Sequence, residues 1–488
     1  MTLATLLPRW LAYSASLADP VTALLSPGRP ATGSRSCARA LCMALAILAT
    51  GCGEAEHPVR VVLITLDTLR YDRVVGEGAA MPRLGAAAKT GTLFTRSYAA
   101  TSSTQPTHAT LFTGLHPWRH GVTRNGLVLR EDTPTLAELL SANGFATAAA
   151  VSSFPMRDLF GWDRGFDTYL DEFTHGREQK KTWSAFDPDW EHFYSQADTI
   201  TGRALQLLDA ATAKKQFFFF HYFDPHAPYG DSWRPGPKAK LTTADRIVET
   251  LDLTEALKEG QTEFQETLKK ALRGYAKDVA FLDEQLGILL DRLAADAEHY
   301  ETHVVITADH GESFGDDLSF GHGDRVSHQQ LRVPLVILSP AVTTGRRRDP
   351  NGTIDVGKTL VALAGLDDDD WPGGRDLTSP PGDSLPPPVG MRRTYAKPSL
   401  DVRISGHVAE LTGSRFYALI DGKLYLGDGR EIFFGDSEPG RDEVIPEQQQ
   451  TQLRQLFEIF EAELGASENT ERLDAESQRA LQALGYTR

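Results

Sequence analysis

The sequence predicts an α/β fold, helices packed on a mainly parallel central sheet, with a small antiparallel appendage near the C-terminus. Three observations carry this prediction. Short, nearly continuous apolar runs recur over most of the chain, stretches with apolar residues at helical spacing separate them, and glycine-rich turn signals split aromatic runs beyond residue 410. A strand buried on both faces has no polar side to display, so it shows a continuous run rather than an alternation.

The first such run is Val59 to Leu66 (VRVVLITL), with Asp67 at its carboxyl end. Ala109 to Phe112 has the pattern of the first turns of a helix, preceded by Thr104-Gln105-Pro106-Thr107-His108. Helical spacing follows over Thr199 to Ala213, then a strand over Phe217 to Phe220 leading into His221. A second helical stretch, Glu266 to Leu293, precedes strands at Val304 to Thr307, leading into Asp309, and at Pro334 to Leu338. Ligands of parallel sheets gather beyond the carboxyl ends of the strands, where Asp67, His221 and Asp309 all fall.

Near residue 366 the composition changes. Asp367 to Asp370 and the Pro- and Gly-rich sequence through Gly390 have the character of a surface linker, its aspartates either a solvated charge run or a cation site. In Arg415 to Phe434, Asp421-Gly422 and Gly427-Asp428-Gly429 are hairpin signals, and Glu447 to Leu464 and Leu473 to Leu484 have helical spacing. The expected organisation is an export segment 1–52, a catalytic domain 57–366, a linker 367–390, a small β subdomain 391–440 and a helical tail 441–488.

A formal net charge of -16 excludes a general nucleic-acid binder, because no basic stripe is present to replace counterions on phosphate. Anionic substrates stay open, since a bound cation inverts the local field. The three cysteines, Cys37, Cys42 and Cys52, all lie near the N-terminus, so no disulfide framework supports the body of the fold. Arg35 and Arg39 precede the apolar run Ala40 to Ala49 and then Thr50-Gly51-Cys52. This resembles a bacterial lipoprotein signal with Cys52 as the lipidated residue, which implies an exported protein held at the membrane of the cell envelope. The alternative is a short membrane anchor, for which the run falls short of the roughly 20 residues a spanning helix needs.

Thr104 falls at or just before a helix N-terminus, where free amides and the dipole stabilise an alkoxide and an incoming anion; taken alone, it has an alternative reading as a capping threonine. Asp67, Asp309 and His310 supply two carboxylates and an imidazole at strand ends, a donor set that commonly holds a divalent cation. His221 and His226, in HYFDPHAPY, and His322, in Gly321-His322-Gly323, bring further imidazoles toward the same edge.

In chain order, LDTLRYDR, TQPTHATLFTGLHPWRHGV, FGWDRGFDTY, FFFFHYFDPHAPY, YAKDVAFLDEQLGILL, VVITADHGESFGD, GHG and RVPLVILSP resemble the conserved segments of the sulfatase and alkaline phosphatase superfamily, from about Val59 to about Leu377. The resemblance implies an alkaline-phosphatase-like sandwich, with Asp67, Thr104, Asp309 and His310 as ligands of one divalent cation (Ca, Mn, Zn or Mg). It implies Thr104 as the nucleophile, His226, His108 and His221 as substrate-binding residues, and His322 as a catalytic residue that binds substrate or protonates the leaving group. Arg119 and His120 take structural roles.

Sulfatases carry Cys or Ser where Thr104 stands and convert it to formylglycine, which threonine cannot become. His108 occupies the place of their arginine, Thr68 the place of a second aspartate, and Val151-Ser152-Ser153 the place of a Gly-Lys-Trp segment. The implied function is hydrolysis of phosphate, phosphonate or sulfate esters, by direct attack of Thr104, on a small anionic ester or an envelope glycan or lipid. No protein partner is expected. The alternatives are an envelope phospho-headgroup transferase and a catalytically silent anion-binding lipoprotein.

Overall fold

The computed structural model describes residues 58–173, 194–227, 229–230, 262–315, 320–323, 326–367, 371–381, 388–394, 413–420, 423–427, 432–434 and 445–467. The export segment with Cys52, three of the four linker aspartates and the expected helix at 473–484 lie outside the described residues. All elements below belong to the compact unit Val59–Arg488.

Fifteen strands occur among the described residues. They are β1 (Val59–Leu66), β2 (Thr92–Tyr98), β3 (Ala146–Ala150), β4 (Thr168–Leu170), β5 (Lys215–Tyr222), β6 (Glu301–Ala308), β7 (Ser313–Phe314), β8 (Phe320–Gly321), β9 (Arg332–Leu338), β10 (Gly345–Arg347), β11 (Asn351–Gly352), β12 (Val389–Thr394), β13 (Gly413–Ile420), β14 (Lys423–Gly427) and β15 (Ile432–Phe434). The helices are α1 (Pro82–Ala87), α2 (Thr104–Thr113), α3 (Pro117–His120), α4 (Leu136–Ala142), α5 (Ala197–Ala210), α6 (Thr262–Ala295), α7 (His328–Leu331), α8 (Ile354–Leu363) and α9 (Glu447–Ser467).

The main sheet has nine strands in the order β10-β2-β9-β6-β1-β5-β3-β4, with β11 also pairing β2. Only β9 runs against the rest, antiparallel to both β6 and β2. The apolar run at Pro334 to Leu338 is thus a strand whose direction its composition does not reveal. Successive side chains of β1 and β5 alternate between two cores. Val61, Leu63, Phe217 and Phe219 pack on the face covered by α2, α4 and α8, while Val62, Ile64, Phe218 and Phe220 pack on the face covered by α5 and α6. Burial on both faces is the cause of the continuous apolar runs.

The C-terminal appendage is the four-stranded antiparallel sheet β12-β13-β14-β15, with α9 beside it. Phe460 of α9 stacks on Trp118 of α3 with ring centres 4.0 Å apart, and Phe416 of β13 meets Trp118 edge-on at 5.7 Å. Arg119 pairs with Glu463 at 2.8 Å, the structural role expected of it. The Tyr417 hydroxyl donates to the Ala99 carbonyl and the Met391 amide to that of Ala100 at 3.0 Å, so the appendage clamps the chain just before the turn that carries Thr104.

The stretch expected as a surface linker differs in two ways. Trp371 and Leu377 are buried, 6% and 0% exposed, and β12 begins at Val389, inside the expected linker. Gly114, at φ 64°, makes room for the indole, because a β-carbon there would lie 2.5 Å from Trp371 Nε1. Two apolar anchors in a Pro- and Gly-rich context do not alter its composition, yet they decide its burial.

Candidate active site

The parallel register collects the site. Thr65 of β1 pairs with His221 of β5 on one side and Thr307 of β6 on the other, so Asp67, His221 and Asp309 emerge at one edge. Each offers an atom within 4.8 Å of the others. His221 Nε2 lies 3.7 Å from Asp67 Oδ2, while His310 Nε2 lies 3.7 Å from Asp67 Oδ1 and 3.5 Å from Asp309 Oδ2. All four side chains are at most 1% exposed.

Asp309 Oδ1 accepts from the amides of Thr68, at 3.2 Å, and His310, at 2.7 Å. Both oxygens of Asp67, Asp309 Oδ2, the Nε2 atoms of His221 and His310, and Thr104 Oγ1 are buried and accept or donate no hydrogen bond. Burial, then the charges of Asp309 and Glu312, push the Asp67 carboxyl well above its usual range. Buried carboxylates and imidazole nitrogens facing one another without a donor are costly unless a cation lies among them, and this mixed oxygen and nitrogen set suits a divalent metal.

Thr68 holds φ 57°, the left-handed region that a β-branched residue avoids. Its amide is held by Asp309 and its carbonyl by the Tyr275 hydroxyl at 2.8 Å, which also accepts from the Arg70 amide at 3.0 Å. The fold therefore over-determines this strained residue, directly after Asp67.

Thr104 is the first residue of α2, and the cap position belongs to Ser103. The Ser103 side chain makes no cap hydrogen bond. The capping alternative for Thr104 therefore fails: its hydroxyl satisfies no backbone amide. Neighbours stitch the turn instead. Asn125 Oδ1 accepts from the Gln105 amide at 2.8 Å, and Thr101 Oγ1 accepts from the Ser103 amide at 3.1 Å.

His108 sits elsewhere than expected. Its Nδ1 donates to the Thr104 carbonyl at 2.8 Å, which leaves Nε2 to accept from the Thr65 hydroxyl at 2.9 Å. Burial pushes its pKa down, against the opposing pull of Asp309. With both nitrogens engaged and the ring fully buried, His108 braces the Thr104 turn against β1 and has no atom left for substrate; its substrate-binding expectation gives way on that ground.

At the rim, His322 Nδ1 pairs with Glu312 Oε1 at 3.0 Å, and the Tyr229 hydroxyl donates to Glu312 Oε2 at 2.7 Å. The ring centres of His310 and His226 lie 4.5 and 4.9 Å from that of His322, and His226 stacks on Phe223 at 4.3 Å. The structure thus brings Asp67, Asp309, His310 and His221 together, sets His322 and His226 beside them, and puts His108 beneath the Thr104 turn. Sequence reasoning missed Ser152, Glu312, Tyr229 and Tyr275. Glu312 had a signal, two residues beyond His310; Ser152 had one only in standing where sulfatases carry a lysine; the tyrosines had none.

Compared with known proteins, the family model described as Sulfatase matches residues 60–366. An ulvan-active sulfatase of Formosa agariphila is 23% identical over 308 residues, covering 58% of this chain and 56% of that protein. A choline-sulfatase of Rhizobium meliloti is 24% identical over 341 residues, covering 58% and 63%. The chain thus spans less than two thirds of the length of these relatives. Among solved structures, a phosphonate monoester hydrolase from Silicibacter pomeroyi aligns with a TM-score of 0.58 at 20% identity, covering 77% of this chain and 88% of that one. A chain solved with its substrate D-glucosamine-2-N,6-O-disulfate aligns with a TM-score of 0.61 at 18% identity, covering 85% and 100%.

Proposed function

The chain belongs to the sulfatase family, and from that premise we propose that it is a metal-dependent hydrolase of phosphate or phosphonate esters with Thr104 as its nucleophile. One observation carries the reading: the hydroxyl of Thr104 is buried, unpartnered and at the first turn of α2, in a chain whose Asp67, Asp309 and His310 turn equally unpartnered atoms toward one another. Those three residues and Thr104 would hold the cation, which when bound would polarise a phosphoryl or sulfuryl oxygen and acidify a coordinated hydroxyl.

The residues themselves supply the rest. The Thr104 amide and the dipole at the start of α2 orient the anionic group, and Thr104 Oγ attacks its central atom in line with the leaving oxygen. The Thr104 hydroxyl gives up its proton to solvent, the bond from phosphorus to the leaving oxygen breaks as the Thr104 Oγ–P bond forms, and a phosphothreonine remains. His322, oriented through Nδ1 by Glu312, turns Nε2 toward the leaving group as proton donor, and afterwards deprotonates the water that releases phosphate. His226, stacked on Phe223, contacts the transferred group.

Phosphorus is preferred because a threonine ester has no internal exit, whereas a formylglycine hydrate expels sulfate by reverting to its aldehyde. The names of the relatives, an ulvan-active sulfatase and a choline-sulfatase, favour a second reading, sulfate-ester hydrolysis by the same residues. Among the described residues no helix is long and apolar enough to cross a membrane. We assign the chain to the cell envelope through a lipid on Cys52. Metal analysis of the purified protein, with matched aryl phosphate, phosphonate, phosphodiester and sulfate esters, tests the reading. Phosphorus esters are expected to turn over faster; a preference for sulfate esters favours the second reading.

A further inference from the structure

We infer that His221, held by Ser152, is a further ligand of the cation at Asp67 and Asp309, and that its nitrogen makes the site select a transition metal such as zinc over calcium. The inference rests on the metal-dependent reading above and adds a ligand, a positioning residue and a selectivity to it.

The hydrogen bonds fix the tautomer. Ser152 has one hydroxyl proton and gives it to the His221 carbonyl at 2.6 Å. Its contact with His221 Nδ1 at 3.1 Å is then a bond only if Nδ1 carries the hydrogen. In the neutral ring Nε2 is left with its lone pair, and that atom is buried, unpartnered and 3.7 Å from Asp67 Oδ2. At 3.7 Å no hydrogen bond joins the two. A lone pair facing a carboxylate is repulsive, whereas atoms that share a metal at about 2.0–2.2 Å lie roughly 3–4 Å apart. His310 repeats the arrangement: its Nδ1 donates to the Gly311 carbonyl at 2.9 Å and its Nε2 faces Asp67 and Asp309.

Two imidazole nitrogens beside two carboxylates suit zinc or another transition metal, while calcium takes oxygen donors. Ser152 is the partner that orients the ligating ring from behind. The ring is fully buried, which sets it apart from the partly exposed His322 at the rim.

The test is a competition titration of chelator-stripped, folded full-length protein with zinc and with calcium, alongside circular dichroism and metal counting. The wild type is expected to bind one zinc per chain, more tightly than calcium. His221→Ala should weaken zinc by more than about 100-fold and calcium by less than about threefold, and Ser152→Ala, which keeps the imidazole, should weaken zinc by about 10–100-fold. If His221→Ala does not fold, Ser152→Ala decides alone. An unchanged zinc-to-calcium preference in these variants overturns the inference, as does a second ion per chain whose loss is the only effect of His221→Ala. A wild type that binds no divalent ion instead removes the metal-dependent reading itself.

Discussion

Asp67→Asn should make the metal-free protein more stable and abolish its stabilisation by metal. Atoms of Asp67 and Asp309 lie within 4.8 Å of each other, and both side chains are buried. At an effective dielectric of about 20 two unit charges about 4.8 Å apart repel by about 3–4 kcal/mol, the scale of what the amide relieves at neutral pH. The upward push on Asp67 from burial, Asp309 and Glu312 describes the same conflict. With a bound cation the balance reverses, since a metal at 100 times its dissociation constant stabilises the native state by about 2.7 kcal/mol. The assay is denaturant unfolding of wild type and Asp67→Asn at one pH, with chelator and with metal. The expected pattern is a crossing: the variant ahead by up to about 3 kcal/mol in chelator, and behind or level with the wild type in metal. A metal-free variant less stable than the metal-free wild type, or equal metal shifts in both, refutes the reasoning.

Two predictions lie away from the cluster. His120 accepts the Val122 amide at Nδ1, 3.1 Å, and contacts the Thr110 hydroxyl through Nε2, so burial above all, then His116 and Arg130, holds its pKa down to about 3 against 6.5 in the unfolded chain. Stability linked to neutral His120 is fully present above pH 6.5 and falls by about 1.4 kcal/mol per unit as pH drops toward 3; His120→Gln should flatten that slope in denaturation curves between pH 4.5 and 7, and an unchanged slope contradicts the assignment. At the N-terminus, Cys52→Ser should leave the chain unprocessed and without lipid, because acylation precedes cleavage in lipoprotein maturation; normal processing of the variant, read by mass spectrometry of the mature N-terminus, removes the anchor assignment.

The strands around the site were legible because burial on both faces forces an unbroken apolar run, as in VRVVLITL and FFFF, and the residue after such a run lies at the sheet edge. Asp67 and Asp309 were found that way. The direction of β9 was not legible, since antiparallel and parallel strands buried on both faces have the same composition. Nor was the placement of His108: a histidine in a nucleophile motif looks the same whether its nitrogens face substrate or, as here, Thr65 and the Thr104 carbonyl. Ser152 was visible only as the absence of an expected lysine, because its contact with His221 depends on the pairing of β3 with β5 across a separation of 69 residues.

The central claim is that Thr104 attacks directly. The most direct measurement is rapid quench of the enzyme with a slow phosphoester, followed by mass spectrometry of the peptide containing Thr104. The account predicts a phosphoryl group on that peptide in the wild type, none in Thr104→Ala, and nearly all turnover lost in Thr104→Ala, with part of it kept in Thr104→Ser because the hydroxyl remains. Full activity in Thr104→Ala together with efficient hydrolysis of sulfate esters would contradict both the nucleophile and the preference for phosphorus.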